Sequence, residues 1–152
     1  MKKNTIFDQL WLKLPGLSKR KASERPLGRD LSYLNDEEEL TRILYHRITC
    51  FMEEKRPFLY GDFSIGELSR KMFASQARIS RAIKRYSQMN FRGFVNSYRV
   101  KYASNLISKD SRMKMEEVAR LSGFNTIPTF NTAFKTVMNE RPSEYQAKVH
   151  RK

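Results

Sequence analysis

A run of basic residues is the part of this sequence best suited to a chemical task. Residues 68–109 contain ten Lys or Arg and no Asp or Glu, whereas the rest of the chain carries acidic residues. Arginine can form two hydrogen bonds with a guanine edge, and neighbouring Lys and Arg can neutralise phosphates. The run therefore indicates contact with a nucleic acid.

A basic amphipathic helix is predicted within this run, beginning after Ser75 as its N-terminal cap. At 100° per residue, Ile79, Ile83 and Tyr86 share the side that we expect to pack inward. We expect Arg81 on the other side to read a base, and Lys84 or Arg85 to hold phosphate. The full set of predicted DNA contacts in this helix is Gln76, Ala77, Arg78, Ser80, Arg81, Lys84 and Arg85. For this segment alone, a solvated basic face is the alternative.

The same pattern returns 51 residues later. Ser75 corresponds to Thr126, Ile79 to Phe130, Ile83 to Phe134, and Phe94 to Tyr145. A cap, two apolar anchors and a closing aromatic residue in one register predict two similar structural units. The predicted DNA contacts of the second unit are Thr126, Thr129, Asn131, Thr132 and Lys135, flanked by Pro128 and Thr136. Because four cations in the first helix become one in the second, we expect the first unit to anchor the DNA.

Each unit is preceded by a short predicted helix. The first begins at Ser64 with capping-box spacing to Glu67, and the second runs from about Met115 to Leu121 before Gly123. A helix, a tight turn and a second helix form a helix-turn-helix, predicted at about 64–86 and again at about 115–138.

A long helix is predicted between the units, from about 90 to 108. Its 19 residues would give a rod of about 28 Å, a suitable length for placing two helices in major-groove faces about 34 Å apart. The residues expected to face inward are Phe91, Phe94, Val95, Tyr98, Tyr102 and Leu106. The predicted fold is therefore all-α, with about seven helices and a short N-terminal helical arm.

Four ordered motifs resemble the DNA-binding domain of AraC/XylS-type bacterial transcription regulators over roughly residues 36–148. They are Arg99-Val-Lys-Tyr-Ala103, Glu117-Val-Ala-Arg-Leu-Ser-Gly-Phe124, Phe130-Asn-Thr-Ala-Phe-Lys135 and Arg141-Pro-Ser-Glu-Tyr145. The resemblance implies seven helices, two helix-turn-helix subdomains joined by a linker helix, and binding of one polypeptide to an asymmetric DNA site. It also favours activation through contact with RNA polymerase.

The sequence departs from the family pattern at its turns. Phe73, Gln88 and Asn139 stand where relatives often have Gly, and a positive φ at Phe73 would cost about 1 kcal/mol. Pro128 falls in a first helical turn, where its missing N–H costs little. Arg141 is a poorer helix cap than Thr would be.

The region before the predicted domain of residues 35–152 has two parts. An apolar stripe at helical spacing either folds back on the domain or docks another protein; it comprises Ile6, Phe7, Leu10, Trp11 and Leu14. Residues 18–30 have the composition of a linker. Next, Asn35 is expected to cap a helix that ends at Arg56-Pro57. Its predicted inward residues are Leu40, Ile43, Leu44, Ile48, Phe51 and Met52.

The amino-acid composition limits the classes of protein to which the chain can belong. With 152 residues and 39% hydrophobic content, we expect one compact domain, and a net charge of +14 indicates a polyanionic partner. No stretch approaches the roughly 18 apolar residues of a membrane span, and the N-terminus lacks a signal-peptide pattern. A single Cys50 excludes an intramolecular disulfide and suits a cytoplasmic location. If Met1 is the natural start, 35 residues are too few for a ligand-sensing domain; a piece of a longer regulator is the alternative.

The sequence has no catalytic motif and predicts no cofactor. His46 and Cys50 are four residues apart on one predicted helix, but two ligands without a third make a weak metal site. A sequence-specific regulator of transcription on double-stranded DNA is the leading hypothesis. Non-specific DNA packaging or RNA binding is the second, and a protein-interaction module with incidental charge is the third.

Overall fold

A computed structural model describes residues 37–151 of the chain. Within this range the protein is all-helical, which confirms the predicted fold class, and contains seven α-helices and one short 3-10 helix. The helices are α1 Glu37–Lys55, α2 Ile65–Met72, α3 Gln76–Ser87, α4 Phe91–Lys109, α5 Met115–Leu121, α6 Ile127–Met138 and α7 Pro142–Val149, with the 3-10 helix at Pro57–Leu59. The predicted N-terminal stripe, the linker at 18–30 and the Asn35 cap lie outside the described residues.

The described helices enclose two separate hydrophobic cores. The first includes Ile48, Leu68 and Ile79, which are fully buried between α1, α2, α3 and the start of α4. The second includes Val118 and Phe130, also fully buried, between α5, α6, α7 and the end of α4. Burying a side chain of this size contributes about 1.5–3 kcal/mol to stability. Each core therefore supports one helix-turn-helix, and α4 belongs to both.

Helix α4 packs through two opposite faces rather than the single predicted stripe. Phe94 and Tyr98 lie in the first core, whereas Val100, Ala103 and Ile107 lie in the second. At 100° per residue, these two groups point in nearly opposite directions. Consequently Leu106, predicted to face inward, is only half-buried and belongs to neither core.

Helix α1 also presents a different face from the predicted one. Ile43, expected inside, is 39% exposed, whereas Tyr45 and Thr49 are buried. The ring of Tyr45 stacks on Tyr86 of α3, with the ring centroids 5.2 Å apart. Because Tyr45 packs against α3, the buried face of α1 is centred nearer Tyr45 than predicted, and Ile43 lies at the edge of the contact.

The two units follow the predicted 51-residue offset from cap to closing helix. Helices α3 and α6 each span 12 residues and end at a residue with positive φ, Gln88 at 61° and Asn139 at 59°. The next helices start in the same register, after Asn90 and after Arg141. Asn90 Oδ1 accepts a hydrogen bond from the N–H of Gly93 at 2.8 Å. At Arg141, the Glu144 carboxylate instead accepts from the backbone N–H of Arg141 at 2.8 Å.

Candidate nucleic-acid interface

In the first unit, side-chain caps and a left-handed turn hold α2 and α3 in place. The Ser64 hydroxyl accepts from the N–H of Glu67, and the Ser75 hydroxyl accepts from the N–H of Arg78, each at 3.3 Å. Phe73 ends α2 with φ of 52°, as its position in the turn predicted. Its side chain is 91% exposed, so the residue that bears this backbone strain contributes no core contact.

Helix α3 buries one face and exposes the other. Ile79, Ala82 and Ile83 are fully buried, while Tyr86 is half-buried against Tyr45. Every residue predicted to contact DNA in this unit is exposed; these are Gln76, Ala77, Arg78, Ser80, Arg81, Lys84 and Arg85. At 100° per residue, Ala77, Ser80, Arg81 and Lys84 lie opposite the core, and Gln76, Arg78 and Arg85 lie toward the edges of this surface. This surface could enter a DNA groove without any change in the packing of the first core.

Helix α6 repeats this arrangement with different surface chemistry. The Thr126 hydroxyl accepts from the N–H of Thr129 at 3.3 Å, and Pro128 occupies the first turn. The predicted contacts of the second unit, namely Thr126, Thr129, Asn131, Thr132 and Lys135, are all exposed, as are Pro128 and Thr136. The Thr136 hydroxyl donates to the Thr132 carbonyl at 2.8 Å and so is already engaged. The remaining surface is largely uncharged.

The exposed face of α3 contacts acidic residues of the first turn of α1. Glu37 Oε1 accepts from Arg81 Nη1 at 2.5 Å, and Glu38 Oε1 accepts from Arg85 Nε at 3.2 Å. Glu38 Oε1 also accepts from the Tyr86 hydroxyl at 2.8 Å. The hydrogen bonds from Tyr86 and Arg85 lower the pKa of Glu38 from its usual value. Two of the four cations of α3 thus have carboxylate partners within the chain.

The other two cations of α3 differ in their contacts. Lys84 Nζ donates to the Gln88 carbonyl at the end of the helix, at 3.2 Å. Within residues 37–151, Arg78 makes no ion pair. Among the described residues, neither Lys84 nor Arg78 has a carboxylate partner that a phosphate would need to displace.

Arg99 of α4 links the two units. Its guanidinium donates from Nε to the Phe58 carbonyl at 2.7 Å and from Nη2 to the Tyr60 carbonyl at 2.9 Å. It also lies 5.6 Å from the ring centroid of Phe124 in the second unit. Burial lowers the pKa of Arg99 from its usual value. This half-buried cation, which sequence reasoning identified only as part of a motif, joins the segment around the 3-10 helix to the second turn.

The second turn itself packs on the first unit. Gly123 has φ of 83°, and a Cβ placed there would lie 2.3 Å from the Phe58 carbonyl oxygen. Asn125 Nδ2 donates to the Gly61 carbonyl at 3.2 Å. A cleft of about 320 Å³ opens beside this contact and is lined by residues of both units, including Phe91, Arg99 and Thr129. These contacts fix the position of α6 relative to the first unit.

His46 and Cys50 are neighbours, with Nε2 and Sγ 3.6 Å apart. In the described part of the chain, no group of three or more His, Cys, Asp or Glu residues is arranged to hold a metal ion. A membrane span would need a longer and more apolar helix than any found between residues 37 and 151.

Comparison with known proteins gives matches to both sequence and fold. Residues 68–148 match the family described as a helix-turn-helix domain. Two TCP pilus virulence regulatory proteins of Vibrio cholerae serotype O1, from strains O395 and N16961, are each 33% identical over 102 residues. The match covers 65% of this chain and 34% of each relative, so the chain spans about a third of the length of these curated relatives.

Solved structures share the fold at low sequence identity. The C-terminal domain of AraT, a response regulator from Geobacillus stearothermophilus, matches with a TM-score of 0.58 at 23% identity, covering 72% of this chain and 84% of that one. A DNA-binding transcriptional dual regulator from Escherichia coli K-12 matches with a TM-score of 0.60 at 14% identity, covering 72% and 94%.

Proposed function

The chain belongs to the AraC-type helix-turn-helix family of DNA-binding transcription regulators, and we propose that it binds a specific double-stranded site by inserting α3 and α6 into successive major grooves. One observation carries this proposal. Two capped 12-residue helices, related by a 51-residue offset, both expose the side chains that can contact bases and phosphates. A single polypeptide would therefore bind an asymmetric site.

We assign different roles to the exposed side chains. Arg81, on the exposed face of α3, would read a guanine edge in the specific site. Lys84 or Arg85, with Arg78 beside them, would hold phosphates. In α6, Asn131 would recognise an adenine edge and Thr132 a thymine methyl group. The contacts of Arg99 and Asn125 support this assignment, because a fixed distance between the helices allows both to engage one duplex.

The regulatory outcome that we propose is activation through contact with RNA polymerase, on the strength of family membership. Transcription from a promoter carrying the selected site, measured with purified polymerase, should rise when the protein is added. A fall in transcript with unchanged DNA occupancy would assign repression instead.

The binding proposal is tested by selecting duplexes from a random library and comparing their affinity with that of random DNA at fixed salt. A sequence-specific protein typically binds its site at least about 10³-fold more tightly than random DNA. Equal affinity for both, with strong salt dependence, would indicate non-specific nucleic-acid binding. Absence of any salt-dependent affinity would indicate a protein-interaction module.

A further inference from the structure

The first turn of α1 contacts the DNA-facing side of α3 through residues far apart in sequence. Glu37 and Arg81 are separated by 44 positions, and Glu38 and Arg85 by 47. Glu39, in the same turn, instead pairs with Arg42 of its own helix. Acidic residues at a helix N-terminus stabilise that helix wherever they point. That general effect does not account for two of the three reaching across to the surface of α3.

The packing of α1 holds these carboxylates in place. Ile48 is fully buried and Leu44 is buried in the first core, and Tyr45 stacks on Tyr86 one residue after Arg85. Glu38 is also held by the Tyr86 hydroxyl. Because buried residues anchor α1 from Leu44 onward, less than two turns from Glu38, its first turn is held near α3 when the side-chain pairs open.

The ion pairs themselves are open to solvent. The side chains of Arg81 and Arg85 are 61% and 62% exposed, and those of Glu37 and Glu38 are 80% and 53% exposed. Exposed pairs of this kind are weak and screened by salt, so a phosphate can displace them. The carboxylates are therefore competitors for the cations rather than permanent partners.

We propose that Glu37 and Glu38 are specificity-determining residues that act as internal counterions against phosphate binding by Arg81 and Arg85. The inference rests on the proposed function of α3. Random DNA is bound mainly through its phosphates, with release of bound salt ions. Where a carboxylate already neutralises the arginine, the phosphate must displace it, and the gain from neutralising that phosphate is smaller.

Base reading is affected less than phosphate binding. A guanidinium has five N–H donors in a planar fork, and Arg81 donates through Nη1 to Glu37. Its remaining donors can still meet a guanine edge, which carries no net charge to compete with the carboxylate. The acidic pair therefore raises the ratio of specific to non-specific affinity.

The test compares the double variant Glu37→Gln/Glu38→Gln with the charge-matched control Glu53→Gln/Glu54→Gln. Glu53 and Glu54 are exposed at the opposite end of α1, so their loss changes net charge by the same amount without touching α3. Equilibrium binding to the selected duplex and to a random duplex is measured for each protein over a series of salt concentrations. Circular dichroism checks that α1 is retained, and the single variants replace the double variant if it is not.

The double variant should bind random DNA about three-fold or more tightly than the control does, as expected for the loss of two exposed ion pairs. Its salt dependence should steepen by up to about 2 in log–log slope. Its ratio of specific to random affinity should fall.

Random-duplex affinity and salt slope equal to those of Glu53→Gln/Glu54→Gln, or a loss of affinity for random DNA, would overturn the inference. Failure of the proposed function would look different. In that case the wild-type protein itself would show no preference for a selected duplex, and Arg81→Ala would not change that preference.

Discussion

The two helix-turn-helix units share a framework but differ in surface chemistry. Ile79 and Phe130 are fully buried at equivalent positions, and Ser75 and Thr126 cap equivalent helices. On the outside, α3 carries four cations, namely Arg78, Arg81, Lys84 and Arg85, whereas α6 carries Lys135 alone. Caps, buried anchors and a closing aromatic residue are shared by both units, so the repeated fold depends on them and the exposed face is free to diverge.

The turns differ between the units as well. Phe73 adopts positive φ with its side chain in solvent, whereas Gly123 adopts positive φ with the Phe58 carbonyl in the space where a Cβ would lie. The first turn has space for any side chain at position 73, although a residue other than glycine adopts a strained backbone conformation there. The second requires glycine, because it is packed against the other unit.

Breaking the link between the units should have the largest effect. Tyr102→Pro in α4 removes a helical hydrogen bond and kinks the helix, which should lower the free energy of unfolding by about 3 kcal/mol or more. Urea unfolding measures the loss, and Asn105→Ala, at an exposed position of the same helix, should change stability by less than about 0.5 kcal/mol. A folded Tyr102→Pro variant that kept full affinity for an unaltered two-groove site would contradict the role of α4 as a rigid spacer.

Substitutions of the base-contacting residues should show that α3 and α6 contribute unequally to the free energy of DNA binding. Arg81→Ala should cost about 1–3 kcal/mol in binding free energy and relax the preference at one base pair. Lys84→Ala should weaken binding to all sequences and reduce the salt slope by about 1. Thr132→Ala, at the position equivalent to Arg81, should cost less than Arg81→Ala. If Arg81→Ala weakened cognate and random DNA equally, the base-reading assignment would be wrong.

Substitutions at the two turns should change the free energy of unfolding in opposite directions. Gly123→Ala places a Cβ against the Phe58 carbonyl at positive φ and should destabilise the protein by about 1–3 kcal/mol. Phe73→Gly relieves the left-handed strain, about 1 kcal/mol, of a residue that makes no core contact, and should stabilise by at most about 0.5 kcal/mol after the entropy cost of glycine. Thermal unfolding measures both. Equal destabilisation by both changes would show that the first turn is also packed against a partner surface.

A smaller effect should appear in the pH dependence of stability. The lowered pKa of Glu38 means that its contacts with Tyr86 and Arg85 stabilise the folded state above the ordinary glutamate pKa. This contribution is lost as pH falls through the lowered folded value. The stability difference between wild type and Glu38→Gln should therefore be present at neutral pH and shrink in acid, as measured by urea unfolding at several pH values. A difference independent of pH would indicate that the carboxylate charge is not involved.

Structural features that depend only on residues close together in the chain could be predicted from the sequence. The caps at Ser75 and Thr126 follow from local rules of helix capping, so they could be read directly. The turn positions Gln88 and Asn139 are identified instead from the resemblance to a family that often has Gly there, and both have positive φ. The contact of Glu37 with Arg81 depends on the packing of helices 44 residues apart. The change of buried face in α4 at Val100 depends on where the second core lies. The first leaves no periodic signal in one segment, and the second leaves helical spacing at Val100, Ala103 and Ile107 that does not by itself show which core these residues join.

The most direct test of the inequality between the units is single-base substitution across the selected site, combined with footprinting to assign each half-site to α3 or α6. We predict larger penalties in the half-site contacted by α3, because its cations supply most of the phosphate neutralisation and Arg81 the strongest base contact. The half-site contacted by residues 126–136 should tolerate more sequence variation. Larger penalties in that second half-site would contradict the account.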